Sequence, residues 1–230
     1  MCRILVNKNN IEKFSYKELK ESYSQNPDGT GLYAFDTKAK KVLLKKWIKG
    51  TKFKEIAKAI QKVNNDKRYK NIVIHFRFAT SGRTDLEQIH PIQVKNNLYI
   101  AHNGVLSGLG DETESDTQQF AKMLNVLDVN YKKLMEVDKY LRHIIGYNKI
   151  VIIDKDQSFI MNEDLGEWNK THGIWKSWKN YQYTYGCYSY NLPRYNLGTK
   201  NTSQIDDAWW EDNFDNGVVN NKDEKENDII

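Results

Sequence analysis

The 230-residue sequence predicts a mixed α+β domain whose strands pair largely antiparallel. Two observations lead there. Strand-like apolar segments fold back on each other as hairpins, 31–35 with 41–46 and 149–154 with 158–161, each across a short polar turn. Helical periodicity recurs in separate blocks between them, so helices are available to cover the sheets. No internal repeat or interdomain linker breaks the pattern, and the chain is long enough to bury a sizeable core.

Taken in order, residues 2–6 (Cys-Arg-Ile-Leu-Val) read as a short buried strand with a cysteine at its start. Ser15 can cap a short helix through Lys17 to Lys20. Asn26-Pro27-Asp28-Gly29 is a strong turn signal, because proline presets φ and Asp and Gly tolerate tight geometry. Phe53, Ile56, Ala57, Ile60 and Val63 recur at helical spacing, giving a helix over 51–64. Ile72, Val73 and Ile74 mark a buried strand that delivers Arg77, and 98–101 is another that delivers His102-Asn103-Gly104. Ser115 caps a helix to about Leu127, with Phe120, Met123, Leu124 and Leu127 on one face. A further helix runs over 131–143. Residues 171–195, rich in Trp and Tyr, read as irregular strands packed on the core.

Charged residues make up 28% and hydrophobic residues 39%, with 12% aromatic, so a mean hydropathy of −0.76 reflects Lys and Asn rather than a missing core. Cys2 and Cys187 form no disulfide framework and fit a reducing compartment. With no apolar run of membrane length and no apolar signal core, the reading is a cytoplasmic protein without a membrane partner. The net charge of +5 divides unevenly. Residues 203–230 hold nine acids against two lysines, −7, leaving 33 bases against 21 acids, +12, in the remainder. The lysines are dispersed, as on a solvated surface, so nucleic acid is not the expected partner. The five histidines and two cysteines show no metal-ligand spacing, and there is no glycine-rich phosphate loop, so neither metal nor cofactor is expected.

Chemistry concentrates at a few points. If Met1 is removed, Cys2 carries an α-amine beside its thiol, and an amine of pKa about 7.7–8.0 is suited to take the thiol proton. Behind Cys2 come 26–32 (Asn-Pro-Asp-Gly-Thr-Gly-Leu), 75–82 (His-Phe-Arg-Phe-Ala-Thr-Ser-Gly), 101–104 (Ala-His-Asn-Gly) and 115–117 (Ser-Asp-Thr). In order and spacing these segments resemble the class II glutamine amidotransferases, which are N-terminal-nucleophile hydrolases, and among them the small stand-alone amidotransferase-like proteins. The resemblance spans roughly residues 2–127.

The resemblance implies a four-layer αββα sandwich, two mostly antiparallel sheets between helical layers. It implies an amidotransferase domain over 2–202, followed by an acidic tail over 203–230 whose end reads as disordered. It casts Cys2 as the nucleophile and Asn103 and Gly104 as the oxyanion hole. Arg77 would grip the glutamine α-carboxylate, with Phe78 and Thr80 beside it, and Asp116 would receive the α-ammonium. His102 and His90 match family positions and read as scaffold rather than proton carriers. Each position also has an ordinary structural role: ion pairing for Arg77, a helix N-terminal acid for Asp116, a turn for Asn-Gly. The sequence departs from the family at Arg3, where glycine is usual, at Phe78, often Trp, and at Ser81, often His. The implied function is release of ammonia from glutamine for a separate synthase. Its alternatives are hydrolysis of another γ-glutamyl amide, or a non-catalytic amidotransferase-like binding protein.

Overall fold

Alternation along the first strand sets the layering. Ile4 and Val6 point into one apolar cluster while Leu5, between them, enters another. The computed structural model describes residues 1–79, 83 and 85–179. Thr80, Ser81, Cys187, the 180–195 part of the aromatic stretch and the 203–230 segment lie outside the described residues.

Among the described residues, ten strands and four α-helices run in the order β1 (Arg3–Asn7), α1 (Tyr16–Gln25), β2 (Gly29–Asp36), β3 (Lys41–Ile48), α2 (Phe53–Asn65), β4 (Tyr69–Phe76), β5 (Ile92–Lys95), β6 (Leu98–Asn103), α3 (Asp116–Val126), α4 (Tyr131–Ile145), β7 (Lys149–Asp154), β8 (Gln157–Met161), β9 (Glu167–Trp168) and β10 (Trp175–Lys176). They form a six-stranded sheet, β3-β2-β4-β1-β10-β9, and a four-stranded sheet, β5-β6-β7-β8. Every pairing in both is antiparallel.

Leu19 of α1 and Ile56 and Ile60 of α2 pack with Leu5, Leu32 and Ile74 on the outer face of the first sheet. Phe120, Leu124, Leu134 and Ile145 of α3 and α4 cover Ile100, Ile150 and Ile152 of the second. Between the sheets, Ile4, Val6, Tyr33 and Val73 meet Tyr99, Val151 and Ile153. The fold is therefore α+β, with two antiparallel sheets between two helical layers. Each such side chain taken out of water contributes about 1.5–3 kcal/mol, so the three apolar layers dominate the stabilisation.

The α3 stripe differs from its periodicity reading. Thr117, Phe120, Ala121 and Leu124 are buried, while Met123 and Leu127 face solvent. The i, i+3, i+4, i+7 set that starts at Thr117 faces the sheet, and Met123 and Leu127 both fall on one flank of it, toward solvent.

Candidate active site

All the chemistry-bearing segments end at one edge of the sandwich because the strands that carry them are antiparallel. Arg3 pairs with Phe76, so the start of β1 lies beside the end of β4, and Cys2 meets the segment 77–79. The Phe78 N–H donates to Cys2 Sγ at 3.4 Å, and the Phe78 carbonyl lies 3.5 Å from the same sulfur. Burial pushes the Cys2 thiol above its usual pKa. The Phe78 N–H, the chain's amino terminus and Arg77 pull it back, and Asp116 adds to the rise. A thiol in this setting needs a base to become a nucleophile.

The 26–32 turn braces Arg77. The Arg77 N–H donates to the Gly29 carbonyl at 2.8 Å, and the Asp28 N–H to the Arg77 carbonyl at 3.1 Å. Asp28 also accepts from the Ala79 N–H at 3.0 Å and from Lys49 at 2.9 Å. Gly31 is required for a different reason: a Cβ there would stand 1.7 Å from the His90 carbonyl oxygen. Arg77 itself is only 4% exposed and, with Cys2, Gly104 and Asp116, lines a small pocket.

Asp116 opens α3. Its Oδ2 accepts from the Leu106 N–H and its Oδ1 from the Thr117 N–H, both at 2.7 Å. The Ser115 hydroxyl caps the helix in a capping box with Gln118, so the carboxylate is fixed at the positive end of the helix. The structure thus shows the helix N-terminal role for Asp116 and places the carboxylate in the same pocket as Arg77.

Three buried histidines support this pocket. His75 and His90 rings stack with centroids 4.2 Å apart, and His90 Nδ1 lies 3.2 Å from the backbone nitrogen and the carbonyl oxygen of His102. Asn148 donates through Nδ2 to the carbonyls of Val105 and Ile145, which turns its Oδ1 toward His102 Nε2 at 2.8 Å. His102 Nε2 therefore carries the proton, and in the neutral ring Nδ1 accepts from the Thr117 hydroxyl at 2.9 Å. Burial lowers the His102 pKa, against opposing pulls from Asp116 and Asn148. With both ring nitrogens engaged by the protein, His102 borders the pocket as a positioning group.

Gly104 has φ +149°, and a Cβ there would meet Asn148 Oδ1 at 1.9 Å. Gly104→Ala is expected to lower stability by roughly 2–4 kcal/mol, because backbone strain adds to loss of the Asn148–His102 contact. A shift in urea midpoint measures it.

Asn103 shows a contact that sequence reading missed. Its Nδ2 donates to Ser177 Oγ at 2.7 Å and to the Ser177 carbonyl at 3.2 Å. The carbonyl fixes the amide, since the flipped orientation would set two oxygens against each other. Ser177 also accepts from the Ile4 N–H at 2.9 Å, so one hydroxyl ties the oxyanion-hole candidate to the strand that follows Cys2.

Arg3 does not press on the thiol. Its guanidinium reaches Ser22, Gln25 and Glu21 of α1 and lies 4.5 Å over the Trp178 ring.

The chain matches the family described as glutamine amidotransferases class-II over residues 1–141. It belongs to that family. Of the site residues described above, Ile145, Asn148, Ser177 and Trp178 fall outside the match. Among solved structures, the class II amidotransferase chain is similar to one described as the allosteric regulatory enzyme of purine biosynthesis. The identity is 17% and the TM-score 0.47, over 76% of this chain and 41% of that one. The chain thus spans less than half of that enzyme's length. No curated protein matches it. Among the described residues, no helix is long and apolar enough to cross a membrane.

Proposed function

We propose that this class II amidotransferase cleaves the γ-amide of a γ-glutamyl group, with Cys2 as nucleophile once Met1 is removed. Glutamine is the simplest such substrate, and the ammonia it yields would serve a separate synthase. The observation that carries the reading is the convergence of Cys2, Arg77, Gly104 and Asp116 on one pocket.

Met1 is 74% exposed, open to removal, and its carbonyl is held by Asn26 Nδ2 at 2.8 Å. Loss of Met1 leaves the Asn26 amide facing the new Cys2 α-amine. The amine takes the thiol proton, and Sγ attacks the substrate Cδ. Arg77 holds the α-carboxylate and Asp116 the α-ammonium, which fixes the amide over the sulfur. Negative charge developing on the amide oxygen is met by the Gly104 N–H and by one N–H of the Asn103 amide, which leaves the longer of its two contacts to Ser177 to do so. The Cδ–N bond then breaks, the departing amine receives the proton from the α-amine, and water hydrolyses the thioester to glutamate and the free thiol.

Glutamate and ammonia release from L-glutamine tests the reading, with intact mass reporting the state of Met1. Turnover is expected only from chains that begin at Cys2. Absence of glutamate release from glutamine and from every γ-glutamyl amide tried, by correctly processed protein, would refute it. Arg77→Lys keeps the charge but loses the planar fork, so kcat/KM is expected to fall about 100-fold. Steady-state kinetics on the same substrate reads this out.

A further inference from the structure

Cys2 and Phe78 border two recesses, not one. The first is the small pocket with Arg77 and Asp116, which holds charges of both signs. The second is a cavity of about 450 Å³ whose walls include Arg3, Asn26, Asn103, Lys149, Ser177 and Trp178, with Cys2 and Phe78 the residues it shares with the first. No carboxylate is among its lining residues. The volume is in the range of ordinary ligand sites and far exceeds what an ammonia molecule needs.

Lys149 is the residue that says what the cavity takes. It opens β7 and sits directly across the ladder from Asn103. It is only 8% exposed, yet among the described residues its ammonium has neither an ion pair nor a hydrogen bond. The stem is buried while the ammonium opens onto the cavity, and a partly desolvated charge without a partner gains from a counter-ion placed there. Burial accordingly pulls the Lys149 pKa below the usual lysine value. Arg3, by contrast, is already engaged by Glu21, Gln25 and Trp178, and Lys179, which also lines the cavity, is exposed to solvent. Among the described residues Lys149 is therefore the buried-stem cation without a counter-charge, and it sits across the ladder from Asn103.

The amide nitrogen of a γ-glutamyl substrate points away from the glutamyl group. With the glutamyl end in the Arg77–Asp116 pocket, the leaving amine enters the second cavity. We propose that this cavity is a leaving-group subsite in which Lys149 receives a carboxylate, so that the favoured substrates are γ-glutamyl amides of amino acids rather than free glutamine. The proposal rests on the γ-glutamyl amidase reading above and names its substrate class. The reaction balances as before: the γ-C–N bond breaks, the amino acid leaves with the proton from the Cys2 α-amine, and water releases glutamate from the thioester.

γ-Glutamylglycine and γ-glutamylglycinamide differ only in the leaving-group charge, which makes them the probes. For protein beginning at Cys2, kcat/KM is expected to favour γ-glutamylglycine by about 10- to 100-fold, the range for a hydrogen bond to a charged partner. In Lys149→Gln this ratio should fall toward one, and Lys149→Arg should restore most of it. The wild-type ratio tests the proposal even where a variant folds poorly. A wild-type ratio near one, or a ratio that survives Lys149→Gln, overturns it. Hydrolysis of glutamine with neither peptide cleaved overturns the subsite and leaves the amidase reading standing. Hydrolysis of none of the three overturns both.

Discussion

Cys2→Ala is expected to lose γ-glutamyl amide turnover to background, a fall of at least about 10⁴-fold, with little change in fold. The kinetic loss follows from removing the sulfur that forms the thioester, since an oxyanion hole and binding pocket alone retain a small part of such catalysis. The structural cost is small because Sγ is held only by long contacts to Phe78, 3.4 and 3.5 Å, and lies at the half-buried edge of the sandwich. Removing such a contact costs about 1 kcal/mol or less. The variant should therefore keep its urea midpoint within about 0.5 M while losing activity. A covalent readout makes the test sharper. Brief reaction of the wild-type chain with substrate, quenched in acid, should add one γ-glutamyl acyl mass to the protein, and Cys2→Ala should add none. An adduct on the variant would move the nucleophile elsewhere and end the account. An unprocessed chain should also lack the adduct, because the peptide-bonded nitrogen of Cys2 cannot take the thiol proton.

How much of this was legible beforehand depended on the distance over which each residue acts. The β2–β3 hairpin, read over 31–46, runs from Gly29 to Ile48, and the helix read over 51–64 is α2, Phe53–Asn65. These elements are specified by their own periodicity, so the sequence carries them locally. β5 is four residues long, follows Pro91 and has too little alternation to stand out. β10 is two residues long and is fixed by pairing with β9 on one side and with Leu5 and Val6, some 170 positions earlier, on the other. Ser177 was illegible for the same reason: its hydroxyl matters because Ile4 and Asn103 converge on it. Lys149 looks in sequence like the polar end of an apolar strand, and only the cross-strand register with Asn103 brings it to the site. Arg77, Gly104 and Asp116 stood out in the sequence because they lie in the short segments whose order resembles the class II amidotransferases, and the structure brings these three to one pocket. The effect of Arg3 needed the structure, which shows its charge taken up by α1 and Trp178.

Acid should unfold this protein through its buried histidines well before its carboxylates titrate. His75 is fully buried, and among the described residues neither ring nitrogen has a hydrogen-bond partner. Burial lowers its pKa to about 3, with Arg77 and His102 adding to the shift. His90, stacked on it, is displaced in the same direction, again chiefly by burial. A histidine whose folded pKa lies below its unfolded value binds more protons when unfolded, so its contribution falls as pH drops below about 6.5 and continues falling to about 3. For His75 alone the loss between pH 7 and pH 5 is about 2 kcal/mol, a large fraction of a typical stability of about 5–15 kcal/mol. His90 adds to it. Asp28, whose pKa is lowered because the Ala79 N–H and Lys49 outweigh the opposing effect of burial, loses its contribution only as pH falls through the carboxylate range, below this window. Urea unfolding at pH 7, 6 and 5 should show stability falling steeply with acid, and His75→Leu should lose about 2 kcal/mol less over that interval than the parent chain. A parent stability independent of pH across the window, or a variant with the same slope, would mean that these rings are not held neutral. The same protonation acts on function, because His90 supports the backbone of His102 and His102 precedes Asn103 at the end of β6. Activity, already declining below about pH 8 as the Cys2 α-amine becomes protonated, should therefore fall more steeply below about pH 6 as stability is lost, and the His75→Leu variant, if it retains turnover, should lack that added loss at pH 5.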